Sequence, residues 1–270
     1  MPHKAFFYRK ENTMSCKIIA HRGANKKAPQ NTLPAFITAI NEGTDGFETD
    51  VHLTKDGVPV ICHNYTIDAT SDGRGDVSSY TLEEIKKFDF GSYFSEEFKD
   101  TPLPTLDEFL EVTAASTCEI INIELKCPKD NNISRLVDET LKAVKKYGCL
   151  DRVIISSFSP EVLKTVKEID ARCKTAFLYP ISHPSVCRFV LYPFFMVKKV
   201  GCDIIHPASI AVNKKIVDIA HALGMQVNVW TVNDEKTIIK LLGYGVDGLI
   251  TDKPLETRQI VEKYEKKKAE

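Results

Sequence analysis

The stretch EIINIELKCPKDNNISRLVDETLKAVKKYGCLDRVIISSF (119–158) decides the fold. Two β-branched runs, 119–125 and 152–158, flank an amphipathic segment at 132–147 whose apolar residues recur at helical intervals. Parallel neighbours in a sheet need a crossover of this length, and a helix is its usual form. The same unit recurs in both directions along the chain. Strands are expected at 17–20, 46–51, 175–179, 203–207, 226–232 and 247–251. Helices are expected at 31–42, 105–115, 159–169, 185–199, 213–223, 233–243 and 254–268. Thr105 before Leu-Asp-Glu and the run Ser159-Pro160-Glu161 suit helix N-termini. Eight strands, each followed by a helix, within about 250 residues predict an α/β chain folded as a (β/α)₈ TIM barrel.

The composition agrees with this. The chain has 270 residues, 43% hydrophobic and 27% charged, with a formal net charge of -1. That supports a large core and argues against a nucleic-acid or membrane-surface binder, since each needs a basic excess. The eight cysteines are scattered without a C-x-x-C pair, several of them inside apolar runs. They imply free thiols in a reducing, cytoplasmic setting rather than a disulfide framework or a zinc site. Residues 1–15 lack an apolar h-region and are expected to be a tail ahead of a single barrel over 16–268. The most apolar stretch, VCRFVLYPFFMV (186–197), is too short to cross a bilayer and is interrupted by Arg188 and Pro193. It is expected to be a buried or interfacial helix. The alternative is an exposed lip of Phe189, Leu191, Phe194 and Phe195, suited to a substrate with a lipid tail.

One run breaks the alternation. PVICHN (59–64) follows the strand at 46–51 too closely for a crossover helix, so the two must be antiparallel. Taking Asp56-Gly57 as a two-residue turn pairs Lys55 with Val58 and sets Asp50 opposite His63. Glu48, Asp50 and His52 then share a face with His63. Residues 65–104 contain no clear barrel element and are expected to form a small insertion over the strand ends.

Catalytic groups of such barrels lie at the C-terminal ends of the strands. Those ends carry His21 and Arg22, Glu48 and Asp50, Glu124 and Lys126, then Ser157, Tyr179, His206, Trp230 and Asp252. Singly each is ambiguous. Glu48 and Asp50 equally suit solvated acids, Glu124 and Lys126 an exposed pair, and His63 a structural strand-end histidine. A tryptophan at a strand end such as Trp230 is more often core than substrate wall, and nothing distinguishes His52, His183, His206 or His221 from structural histidines. Together, three carboxylates without a soft donor suit one hard divalent cation, Mg²⁺ or Ca²⁺. With Arg and Lys nearby and two histidines for proton transfer, this is equipment for cleaving a phosphate ester.

AHRG (20–23), PQNTLPAF (29–36), FETDVHLTKDGVPVICHN (47–64), IELK (123–126), ISSF (155–158), VWTVN (229–233) and GVDGLITDKP (245–254) together resemble the glycerophosphodiester phosphodiesterases. The resemblance runs from about Ile18 to Pro254 and implies a TIM barrel with a small insertion after the second strand. It implies hydrolysis of small-molecule glycerophosphodiesters, such as glycerophosphocholine or glycerophosphoethanolamine, to glycerol 3-phosphate and an alcohol. By the same resemblance His21 and His63 are the acid/base pair, and Glu48, Asp50 and Glu124 hold the metal. Arg22 and Lys126 contact phosphate, and Trp230 walls the substrate pocket. Attack by the glycerol 2-hydroxyl, giving a cyclic phosphate that water opens, is the implied route. One departure stands out: the family reads P-E-N-T where this chain has Pro29-Gln30-Asn31-Thr32. The competing readings are a lysophospholipase D acting on lysophospholipids and a catalytically silent phosphodiester-binding barrel.

Overall fold

The structure is a computed structural model, and it describes residues 16–127, 132–179 and 192–270. In chain order the elements are β1 (Lys17–His21), α1 (Leu33–Asn41), β2 (Gly46–Leu53), β3 (Pro59–Ile61), α2 (Leu82–Ile85) and α3 (Leu106–Ala114). Then follow β4 (Ile120–Leu125), α4 (Ile133–Lys146), β5 (Val153–Ser157), α5 (Pro160–Ile169), β6 (Lys174–Tyr179) and α6 (Tyr192–Val200). The last are β7 (Ile204–Pro207), α7 (Lys214–Ala222), β8 (Gln226–Val229), α8 (Glu235–Tyr244), β9 (Gly248–Thr251) and α9 (Pro254–Ala269). Neighbouring strands run parallel in the order β1-β9-β8-β7-β6-β5-β4-β2, and β1 pairs with β2 to close the barrel. The described residues therefore form the expected (β/α)₈ barrel, with β3 paired antiparallel to the end of β2.

Local chemistry places the helices. Thr105 and Glu108 form a reciprocal capping box at the start of α3, and the Ser159 hydroxyl caps α5 ahead of Pro160. The apolar core lies mainly outside the barrel, as strand alternation requires. Ile121, Ile123 and Leu125 of β4 pack with Phe109 of α3 and Leu136 of α4. Ile205, Val227 and Leu249 pack with Val217 of α7 and Leu241 of α8. The alternate residues point into the barrel. Ile120, Ile154, Ala176 and Ile204 fill one interior layer. The next residues inward on three of these strands are Asn122, Ser156 and His206, all buried.

The β2–β3 hairpin differs from the expected register by one residue. Val51 faces Ile61, His52 faces Val60 and Leu53 faces Pro59. The Cys62 amide, not that of His63, donates to the Asp50 carbonyl at 3.0 Å. Lys55 is not paired with Val58, because Thr54 closes the turn instead. Its amide donates to the Val58 carbonyl at 3.0 Å, and its hydroxyl accepts from the Val58 amide at 2.9 Å. Lys55, Asp56 and Gly57 thus form a three-residue loop, with Gly57 supplying the left-handed φ of +86°. The slip leaves His63 just beyond the end of β3.

Residues 65–104 contain α2, two 3₁₀ turns and an apolar cluster of their own, in which Ile67, Val77, Ile85, Phe90 and Leu103 pack on Val60 and Cys62. The expected tail, 1–15, and the first part of the expected helix at 185–199, including Phe189 and Leu191, lie outside the described residues. Of the four lip residues, Phe194 is buried among the β6–β9 core, while Phe195 is 67% exposed. Among the described residues no helix is long and apolar enough to cross a membrane.

Candidate active site

The chain leaves β1 through a turn that its sequence makes unusually tight. Arg22 and Gly23 both have left-handed φ values, +55° and +81°. The Arg22 amide donates to the Glu48 carbonyl at 2.8 Å, tying the turn to β2. A Cβ on Gly23 would lie 2.6 Å from the Ala35 carbonyl carbon, so only glycine lets α1 pack this closely. Gly23→Ala is therefore expected to destabilise the protein by more than the roughly 1–2 kcal/mol of a left-handed alanine, because the backbone clash adds to it. A lowered urea midpoint at unchanged m-value checks this.

That turn aims two side chains in different directions. His21 Nδ1 lies 2.6 Å from Asp252 Oδ1, beyond the end of β9. Asn25 and Asn233 each donate to the same carboxylate at 2.7 Å, so Asp252 is fixed before it orients the imidazole. Burial pushes the His21 pKa below its usual value, against the upward pull of Asp252. Burial would also raise the Asp252 carboxyl, but its bonds to His21, Asn25 and Asn233 hold it well below the usual range. The Arg22 guanidinium donates to Gln30 Oε1 at 2.6 Å and lies 3.4 Å from Asp50 Oδ2.

The three acids come from adjacent strands. Glu48 and Asp50 sit two apart on β2, and Glu124 faces them from β4, in register with Asp50. One carboxylate oxygen from each lies within 4.8 Å of the others, and all three residues are buried. Asp50 is fully buried and is held by Asn31 Nδ2 at 2.9 Å and Lys126 Nζ at 2.8 Å. Lys126 also reaches Glu124 at 2.5 Å. Burial raises Asp50, yet Lys126 and Arg22 outweigh it and hold the carboxyl well below the usual range. Burial and the neighbouring Asp50 charge push Glu124 up to about 7, and Glu48 is raised by the same two causes.

His63 completes the cluster from the other side. Its Nδ1 lies 2.7 Å from Asn64 Oδ1, and burial pushes its pKa down to about 4 against the pull of Asp50. Trp230 fixes its indole by donating from Nε1 to the His206 carbonyl at 2.7 Å, and meets Phe158 edge-on with centroids 5.7 Å apart. His21, Arg22, Glu48, His63, Glu124 and Trp230 all line one cavity of about 170 Å³ at the C-terminal end of the barrel. Asp50 and Lys126 lie beside its wall rather than in it. A wider outer groove of about 360 Å³ joins His21 and Arg22 to Gln30, Asp252, Tyr93 and Phe94, the last two supplied by the insertion.

The eight expected residues gather at the C-terminal end of the barrel, together with several neighbours to which the sequence assigns no role. Asp252 was visible only as a strand-end acid. Asn25 lies in a loop without motif character and Asn31 within the PQNT run, and only the fold brings them to Asp252 and Asp50. Asn122 and His206 also line the inner cavity. Asn122 had a signal, since it shares the inward face of β4 with Glu124 by simple alternation.

The sequence profile of the glycerophosphoryl diester phosphodiesterase family matches residues 21–256. The chain is 36% identical over 256 residues to a glycerophosphodiester phosphodiesterase of Caldanaerobacter subterraneus subsp. tengcongensis, covering 93% of this chain and 99% of that one. A second, from Bacillus altitudinis, is 35% identical over 88% of this chain and 95% of its own length. Among solved structures, an Oleispira antarctica phosphodiesterase in complex with the product sn-glycerol-3-phosphate superposes with a TM-score of 0.84. It is 27% identical, with 93% of this chain and 98% of that chain covered.

Proposed function

The chain belongs to the glycerophosphoryl diester phosphodiesterase family and is a glycerophosphodiester phosphodiesterase, and from that premise we propose that it hydrolyses glycerophosphocholine and related small diesters in the cytoplasm through His21 and His63. The observation that carries the reading is the convergence of two histidines, Arg22 and two of the three clustered carboxylates on one cavity. The glycerol 3-phosphate held by the Oleispira antarctica relative supports glycerol 3-phosphate as the product here. The seven described cysteines are free thiols, which supports a reducing compartment.

Glu48, Asp50 and Glu124 fit a hard divalent cation. They offer only oxygen donors, cluster within 4.8 Å, and are buried where uncompensated charge is costly. Mg²⁺ or Ca²⁺ held there would neutralise charge on the phosphoryl oxygens. Arg22 stands at the cavity wall, with Nη1 fixed by Gln30, to meet a phosphate. Lys126 holds Asp50 and Glu124 in position and adds positive charge behind the phosphate. His21 and His63, on the same cavity, divide the two proton transfers: one takes the proton of the glycerol 2-hydroxyl, the other protonates the leaving alcohol. The cyclic phosphate so formed is then opened by water. Trp230 and Phe158 form the apolar wall. Residues 16–268 act as one unit, with 65–104 as a cap whose Tyr93 and Phe94 border the path of the alcohol.

Incubating the protein with glycerophosphocholine and Mg²⁺ or Ca²⁺ is expected to release glycerol 3-phosphate, with EDTA abolishing the release. No release with either ion sinks the proposal. Lysophosphatidylcholine in a parallel assay tests the lipid-substrate reading and is expected to be cleaved more slowly, because the inner cavity is small. Gln30 already makes the bond to Arg22 that the family glutamate would make. Gln30→Glu is therefore expected to leave kcat/KM within about tenfold of the parent, the scale of one hydrogen bond's change of character.

A further inference from the structure

The interior layer below the two histidines is polar where such barrels are ordinarily packed with Val, Ile and Leu. His206 is fully buried, and its Nε2 lies 3.1 Å from Asn228 Nδ2. The Asn228 amide donates there, so Nε2 accepts and the ring proton sits on Nδ1. Among the described residues His206 Nδ1 has no hydrogen-bond partner. Asn122, 1% exposed, donates from Nδ2 to Ser156 Oγ at 3.1 Å, and its Oδ1 is likewise without a partner among the described residues. Both residues line the cavity that holds His21, Glu48 and His63. Buried polar atoms are rarely left unpaired, and two on one cavity call for a ligand group that answers both. One is a donor and the other an acceptor, which is the complement of a hydroxyl.

We propose that His206 and Asn122 are a hydroxyl-reading pair at the floor of the cavity, binding the terminal hydroxyl of the substrate's glycerol unit. The inference rests on the glycerophosphodiester reading and deepens it. With the phosphate at Arg22 and the 2-hydroxyl beside the histidines, the terminal carbon is the part of glycerol that reaches deepest. Leu178 and Ile250 flank its methylenes. The floor is held rigidly. The indole of Trp230 is fastened to the His206 carbonyl at 2.7 Å. Gly248 leaves room for Asn228, whose Oδ1 would lie 2.5 Å from a Cβ there. Burial keeps His206 neutral, with its pKa down at about 3, so it acts as a fixed donor and not as a second base.

The test compares diesters of one alcohol with glycerol and with propane-1,2-diol, which keeps the attacking 2-hydroxyl and lacks only the terminal one. The parent enzyme is expected to favour the glycerol diester in kcat/KM by about ten- to a hundredfold, the discrimination of a site built around one hydroxyl pair. In His206→Phe and Asn122→Leu that ratio is expected to fall toward one. Equal cleavage of the two diesters by the parent enzyme overturns the proposal while leaving the activity intact. So does an unchanged ratio in folded variants. Cleavage of neither diester overturns the glycerophosphodiester reading and the pair with it. If a variant does not fold, inhibition of the parent enzyme by glycerol 3-phosphate and by 1,2-propanediol 1-phosphate gives the same comparison: stronger inhibition by the former supports the pair, and equal inhibition refutes it.

Discussion

His63→Ala is expected to lower kcat/KM on glycerophosphocholine by about a hundred- to ten-thousandfold, and His21→Ala by a similar factor, the usual contribution of a positioned acid or base. The two should not multiply, because each proton transfer is useful only when the other occurs. Asp252 bonds His21 at 2.6 Å, and Asn64 bonds His63 at 2.7 Å, so neither ring is free to turn away from the cavity. A p-nitrophenyl diester separates the roles. Its leaving group needs no proton, so the variant lacking the acid recovers on it and the variant lacking the base does not. Loss of less than tenfold in both variants would remove the histidines from the mechanism.

Asp50→Asn is expected to cost both activity and fold. The side chain is fully buried, with Lys126 at 2.8 Å and Arg22 at 3.4 Å. Removing its charge leaves two buried cations facing fewer anions, a loss of about 3–5 kcal/mol for a broken buried pair. Glu124→Gln is the informative comparison. It also removes an acid of the cluster, but Lys126 keeps Asp50, so its urea midpoint should fall less. In the parent protein Mg²⁺ or Ca²⁺ should raise Tm by binding the folded state alone, and in Asp50→Asn that shift should vanish. An undiminished shift would place the ion elsewhere.

The alternation of apolar runs and amphipathic segments was enough to read the barrel, because each strand must be covered by its own helix. The strand-end rule then collected His21, Glu48, Asp50, Glu124 and Trp230 without any knowledge of contacts. The hairpin register was not legible. Asp56-Gly57 carries a two-residue turn signal, and the deciding contact is the Thr54 hydroxyl on the Val58 amide, a side-chain choice invisible to alternation. The partner of His21 was equally hidden, since Asp252 is 231 positions away and only closure of β1 on β9 joins them. His206 was indistinguishable from a structural histidine until its unpaired nitrogen and its cavity were seen together.

The insertion after β3 has a cluster of buried side chains separate from those that bind the helices to the barrel. Its cohesion is therefore largely its own, rooted in Val60 and Cys62 at one end and presenting Tyr93 and Phe94 at the other. For the history of such a chain this amounts to a division of labour. Substitutions at the tip can redraw the outer groove, while the carboxylates on the strands and the histidines at or just beyond strand ends stay as they are.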